Sequence, residues 1–202
     1  NYKQAEGTLS TLRLRAPTQP VSYLEFAELK RVTEGPAAAL EVLLQGDFDL
    51  THPANSPILR AIAQDSLTLG KGGYALALVD EAVAAHPASP DFPDLRGRVL
   101  ASLSRQAEAE KAFSQALDLD PEFPPSLEAR GSQALWSGDL ELALGYFERA
   151  AQAEPSNAQY VYLQGQIRYA QSASERAESL FRRALALDPW HVGANNDLAW
   201  LL

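Results

Sequence analysis

The sequence predicts an all-α chain built as an array of antiparallel helix hairpins, and three observations carry that prediction. Pro53, Pro87, Pro121, Pro155 and Pro189 are spaced by 34 residues every time. Other residue types keep the same register: Gly97, Gly131 and Gly165; Ala75, Ala109, Ala143 and Ala177; Ala82, Ala116, Ala150 and Ala184; Phe113, Phe147 and Phe181. The stretch before each periodic proline carries apolar residues at helical spacing, as in Ala109, Ala112, Phe113, Ala116 and Leu117. A fixed period of this length marks a repeat architecture, in which each unit buries its apolar face against its neighbours.

Each unit reads as helix A, short turn, helix B, short turn. Proline disfavours helix at the residue before it, so the periodic proline ends helix B. Upstream, residues 126–136 form a helix A, and Ser137-Gly138-Asp139 separates it from helix B. A short turn makes the two helices antiparallel neighbours. Gly131 on helix A and Ala143 on helix B leave room for close approach, and Phe147 fills the space beside them.

Taken in order, residues 1–17 read as a helix B of a preceding unit, with Ala5, Leu9 and Leu12 on one face. Residues 18–55 form an irregular unit, because Pro17 and Pro53 are 36 apart. Its helices are expected at 22–33 and 36–45, followed by a longer loop over 46–56. Regular 34-residue units follow at 56–89, 90–123, 124–157 and 158–191, and 192–202 starts helix A of a further unit. The whole of 1–202 is thus one solenoid. The chain starts at Asn1 and holds no Met, so we expect a slice of a longer array that continues in both directions.

The register carries a family resemblance. Gly131, Ala143, Phe147, Ala150 and Pro155 match the G…A-x3-F-x2-A…P pattern of the tetratricopeptide repeat. Gly165, Ala177, Phe181, Ala184 and Pro189 repeat it, as do Gly97, Ala109, Phe113, Ala116 and Pro121. The unit at 56–89 departs, with Ala63 for Gly and Val79 for Phe, and Leu127 and Val161 stand where an aromatic often opens helix A. The resemblance implies a right-handed superhelix whose A helices line a concave groove. It implies protein binding rather than catalysis. For long bacterial arrays it implies a role in cell-envelope or exopolysaccharide assembly, and the excess of Arg over Lys reads as a GC-rich bacterial source.

Helix geometry tests which residues face that groove. Residues advance about 100° per position. With the periodic proline as position 32, positions 4, 7, 8 and 11 of helix A share one side and are mostly apolar or small. Positions 2, 5, 9, 12 and 13 lie opposite. They give Arg60, Gln64 and Leu67; Asp94 and Arg98; Glu128, Ser132, Leu135 and Trp136; Tyr162, Gln166 and Tyr169; Asn196 and Trp200. The groove is expected to be charged at one end and aromatic at the other. Tyr and Trp anchor interfaces by burying much area at low entropy cost. Chaperone-binding members of the resembled family place Asn or Arg at position 6 and Lys at position 2. Here position 6 is Ala61, Leu95, Ala129 or Leu163 and position 2 is Pro57, Asp91, Pro125 or Gln159, so that clamp is not expected.

Composition sets limits on chemistry. The absence of Cys excludes disulfides, thiolate metal sites and Cys nucleophiles. A net charge of −9 argues against nucleic acid, which wants a basic face. No stretch approaches a membrane span. His52, His86 and His191 sit in inter-repeat turns of separate units, so no metal site is expected. Gly70-Lys71-Gly72-Gly73 lacks the Ser or Thr and the preceding strand of a phosphate loop, and reads as an A–B turn. No cofactor is implied. The expected partner is another protein or peptide, with self-association through the end half-hairpins as a further use. The alternative is an accessory region of a larger enzyme, such as a glycosyltransferase or protease.

Overall fold

The computed structural model describes residues 2–15 and 19–201, and the elements among them are all helical. The expected boundary at Pro17 and the terminal Leu202 lie outside the described residues. The chain divides into two compact units, Asn1–Leu119 and Asp120–Leu202.

The first unit holds α1 (Tyr2–Arg15), α2 (Pro20–Glu34), α3 (Pro36–Leu44), α4 (Ser56–Thr68), α5 (Gly72–Ala85), α6 (Asp91–Ser102) and α7 (Gln106–Leu119). Each packs on the next, and α2, α4 and α6 also touch one another in succession as the A helices. Proline opens α2, α3 and α4 in the first helical turn, where its missing N–H costs nothing. The loop expected at 46–56 contains a 3-10 turn, Pro53–Asn55. It is anchored by Phe48, whose ring meets Tyr23 edge-to-face at 5.0 Å. Of the three α1 residues expected on one face, Leu9 packs against the core, whereas Ala5 and Leu12 are exposed.

The second unit holds α8 (Pro124–Ser137), α9 (Leu140–Ala153), α10 (Ala158–Ala170), α11 (Ser174–Leu187) and α12 (Val192–Leu201). Each helix again packs on the next. Asp139 caps α9 by accepting the Leu142 N–H at 3.1 Å, and Asn157 caps α10 by accepting that of Gln159 at 3.1 Å.

The periodic glycines are explained by what a side chain would meet. A Cβ at Gly97 would lie 2.5 Å from the Phe113 ring, at Gly131 2.8 Å from Phe147, and at Gly165 2.5 Å from Phe181. All three rings are buried, so each Phe occupies the space its glycine vacates. Ala63 and Val79 hold the same two positions in the α4–α5 hairpin and are buried in one cluster. The larger residue on helix A is matched by a smaller one on helix B, so the departure from the pattern preserves volume.

The A–B turns share one backbone device. Gly70, Ser104, Gly138 and Ser172 are 34 apart, and all take a positive φ, between 60° and 80°. Around them the N–H of Lys71, Arg105, Asp139 and Ala173 returns to the carbonyl of Ser66, Leu100, Ala134 and Arg168 at 2.8–2.9 Å. This six-to-one bond, with a left-handed residue inside it, closes α4, α6, α8 and α10 and starts the reversal into the following B helix. The Gly70-Lys71-Gly72-Gly73 stretch is such a turn, with α5 starting at Gly72.

Candidate partner-binding face

In the first unit the A-helix face is held by ion pairs. Arg31 on α2 donates through Nε and Nη2 to the two carboxylate oxygens of Asp65 on α4, at 2.7 and 2.9 Å. Arg31 also pairs with Glu28. One repeat further on, Arg60 on α4 reaches Asp94 on α6 at 3.4 Å, and Arg98 meets the same Asp94 oxygen at 2.9 Å. Both cross-helix pairs are 34 residues apart. The carboxylates of Asp65 and Asp94 are almost wholly buried, 1% and 0% exposed, while the guanidiniums are partly exposed. The hydrogen bonds to Asp65 raise the Arg31 guanidinium above its ordinary range, against desolvation. Buried charges demand partners, so these pairs fix how each A helix sits against the next.

Asp94 therefore lies under Arg60 and Arg98 and does not line an open surface, which differs from the expectation. A helix wheel gives the direction of a side chain but not the depth set by a neighbouring helix. Gln64 is exposed, and Leu67 packs against the core.

The second unit presents a different face. Glu128, Ser132 and Trp136 follow one another at four-residue steps on α8, which sets them in one stripe. Glu128 is half-buried, and no hydrogen bond or ion pair engages it among the described residues. Ser132 and Leu135 are half-buried, and Trp136 is 92% exposed. On α10, Tyr169 is 57% exposed and Gln166 is exposed; on α12, Asn196 is exposed and Trp200 is 83% exposed. Three successive A helices thus each carry an exposed aromatic in their C-terminal half.

Tyr162 has another role. Its hydroxyl donates to Asp197 on α12 at 3.0 Å, and Gln166 donates to the Tyr162 oxygen at 2.6 Å and to Asp197 at 3.3 Å. Its ring packs 4.6 Å from His191 and 5.7 Å from Phe181. A Cβ on Gly193 would come within 2.6 Å of the phenol, so glycine there admits the ring. Burial first, then the Asp197 carboxylate, push the phenol up to about 12. Tyr162 is a brace between α10 and α12. His191 completes the joint: Nδ1 accepts the Ala194 N–H at 3.1 Å and Nε2 lies 2.9 Å from Gln159 Oε1.

Sequence reasoning missed Arg31, Asp65 and Asp197, and the bracing role of His191. For the first two the signal was present, since Arg31 and Asp65 repeat the 34-residue spacing of Arg60 and Asp94. It also missed Trp190, 87% exposed in the α11–α12 turn. The rings of His52 and His86 approach to 5.9 Å, yet no group of three metal-ligating side chains forms among the described residues. No described helix is long and apolar enough to cross a membrane.

The helical-hairpin architecture agrees with known proteins. The family model described as tetratricopeptide repeat matches residues 60–124 and 129–189. A mouse (Mus musculus) protein named FK506-binding protein-like is 28% identical over 169 residues, covering 79% of the chain and 47% of that protein. The chain thus spans about half the length of this curated relative. Among solved structures, a thermophilic tetratricopeptide protein of Thermus thermophilus superposes with a TM-score of 0.69 at 17% identity, covering 91% of this chain and 98% of its own. MamA of Desulfovibrio magneticus RS-1 gives 0.59 at 24% identity over 73% and 83%. YrrB, a tetratricopeptide protein with an unusual peptide-binding site, gives 0.56 at 18% over 94% and 96%. At these identities the structures speak to the fold, and the family model, matching more than half of the chain, decides membership: the chain belongs to the tetratricopeptide repeat family.

Proposed function

We propose that this chain is a non-catalytic scaffold that binds a protein or peptide segment along the A-helix face of its second unit. The observation that carries the reading is the exposure of Trp136, Tyr169 and Trp200 on three successive A helices, beside the polar groups of Glu128, Ser132, Gln166 and Asn196. Exposed large aromatics cost solubility and mark interaction surfaces, and indole and phenol rings are the side chains that dominate interface energies. Tyr162 serves this face by bracing it. Arg60, Gln64 and Arg98 form the corresponding face of the first unit, with Asp94 beneath the two arginines. A peptide-binding site in YrrB supports the class of partner.

The resemblance extends the proposal to envelope assembly in bacteria, which cell fractionation of the source organism tests. A second reading makes the hairpins an accessory region of a larger enzyme, as the match to half of a longer relative suggests, and the full reading frame decides it. Self-association is the competing occupant of α12, where Val192 is 81% exposed, and light scattering across concentration separates it from partner binding.

The direct test is display of random twelve-residue peptides against the immobilised 202-residue chain, counter-screened on Trp136→Ala/Trp200→Ala. The proposal predicts peptides retained by the parent chain and lost from the variant. Recovery of none that depend on the tryptophans would remove it.

A further inference from the structure

The second unit separates its charges, and this points to the chemistry of the partner. It carries six cations, all arginines: Arg130, Arg149, Arg168, Arg176, Arg182 and Arg183. Four of them make contacts with groups other than Glu128 and Asp197, and Arg176 and Arg183 stand on the B helix α11. Arg130 lies over the Tyr146 ring of α9, 5.9 Å from its centroid. Arg168 reaches Gln171 at 2.9 Å and Glu148 of α9 at 4.0 Å. Arg149 on α9 binds Glu122 and the Pro121 carbonyl before α8. Arg176, Arg182 and Arg183 are on the B helix α11, where Arg182 is paired with Glu178.

The face itself holds carboxylates without cations. Glu128 has no partner among the described residues. Asp197 is met by the Tyr162 hydroxyl, the Gln166 amide and the Asn196 amide, at 3.0, 3.3 and 3.3 Å. These are neutral donors, which orient a carboxylate and leave its charge in place. Three exposed aromatic rings share this surface, and ring faces attract cations as well as apolar groups. The first unit differs here, since Arg31, Arg60 and Arg98 supply positive charge to its A helices.

Resting on the binding role proposed above, we infer that the A-helix face of the second unit takes a basic, apolar peptide segment. Its Lys or Arg side chains meet Glu128, Asp197 and the indole faces, and its apolar residues cover Trp136, Tyr169 and Trp200. An acidic segment would face two carboxylates with no cation to offset them, which disfavours it through like-charge repulsion.

The composition of the displayed peptides tests this separately from the binding role itself. The inference expects tryptophan-dependent peptides enriched in Lys and Arg over Asp and Glu. Their affinity should fall as sodium chloride rises, because exposed charge pairs are screened over roughly 8–10 Å at physiological salt. Glu128→Gln should weaken a recovered basic peptide about two- to fivefold, the range of one exposed pair. Glu128 has no hydrogen bond or ion pair among the described residues, so this variant reads charge rather than stability. Tryptophan-dependent peptides that are neutral or acidic, or a basic peptide bound equally by Glu128→Gln at low salt, would overturn the inference while leaving the binding role standing. Absence of tryptophan-dependent peptides would overturn both.

Discussion

Gly165→Ala sets two effects in opposition, and the structure says which wins. In a helix interior, alanine is favoured over glycine by about 0.5–1 kcal/mol. The added Cβ would sit 2.5 Å from Phe181 Cε1, 2.7 Å from Cδ1 and 3.4 Å from Leu180 Cβ. Phe181 is 1% exposed, so its ring cannot swing into solvent. Overpacking of this kind costs roughly 1–3 kcal/mol. The net expectation is a loss of about 1–2 kcal/mol, or roughly 2–8 °C in melting temperature for a chain of this size. Phe181→Val alone leaves a cavity and costs about 2–3 kcal/mol. The double variant reproduces the Ala63–Val79 pair found in the α4–α5 hairpin. It should be more stable than the sum of the single losses by about 1 kcal/mol or more, since contacting residues couple. Urea unfolding followed by circular dichroism at 222 nm measures all four corners of the cycle. A higher midpoint for Gly165→Ala, or strict additivity in the double variant, would refute the reasoning.

Three further outcomes follow from the joints between helices. Ser172 holds φ +61° where Gly70 and Gly138 hold +71° and +80°, so Ser172→Gly should gain about 0.5–1 kcal/mol by relieving the left-handed strain, read as a raised urea midpoint. Arg31→Met strands the buried Asp65 carboxylate and should cost about 3 kcal/mol or more, whereas Asp65→Asn, which leaves Arg31 near water, should cost less; equal losses would contradict the burial argument. Tyr162 has a folded value of about 12 against 10.0 for a free phenol, so it favours the neutral form. Its contribution is present below pH 10 and is lost as pH rises through 12. Absorbance at 295 nm should show a late-titrating component that disappears in Tyr162→Phe.

The fold was legible because repeat packing is position-specific. One glycine facing one phenylalanine, with a proline ending each B helix, leaves a mark every 34 residues that needs no long-range information. Helices expected at 22–33, 36–45 and 126–136 appear as Pro20–Glu34, Pro36–Leu44 and Pro124–Ser137. The face was legible in direction only. Asp94 and Tyr162 both stand at position 5, yet one is sunk under two guanidiniums and the other is clamped to Asp197. Each outcome depends on a residue 34 or 35 positions away, on a helix that a single-helix projection does not contain. His191 was legible as a turn residue but not as a cap, because a ring nitrogen rather than a Ser, Thr, Asp or Asn oxygen caps α12. Trp136 and Trp200, by contrast, stay exposed.

Binding at this face requires that those tryptophans contact the partner. The chain has three tryptophans, and Trp190 lies in the α11–α12 turn, so a Trp190→Phe background leaves only Trp136 and Trp200 to report. The decisive measurement is acrylamide quenching of their fluorescence during titration with a peptide recovered by display. Strong quenching is expected in the free chain, and protection that saturates with binding together with a blue shift. A peptide that binds while both indoles stay fully quenchable would contradict it.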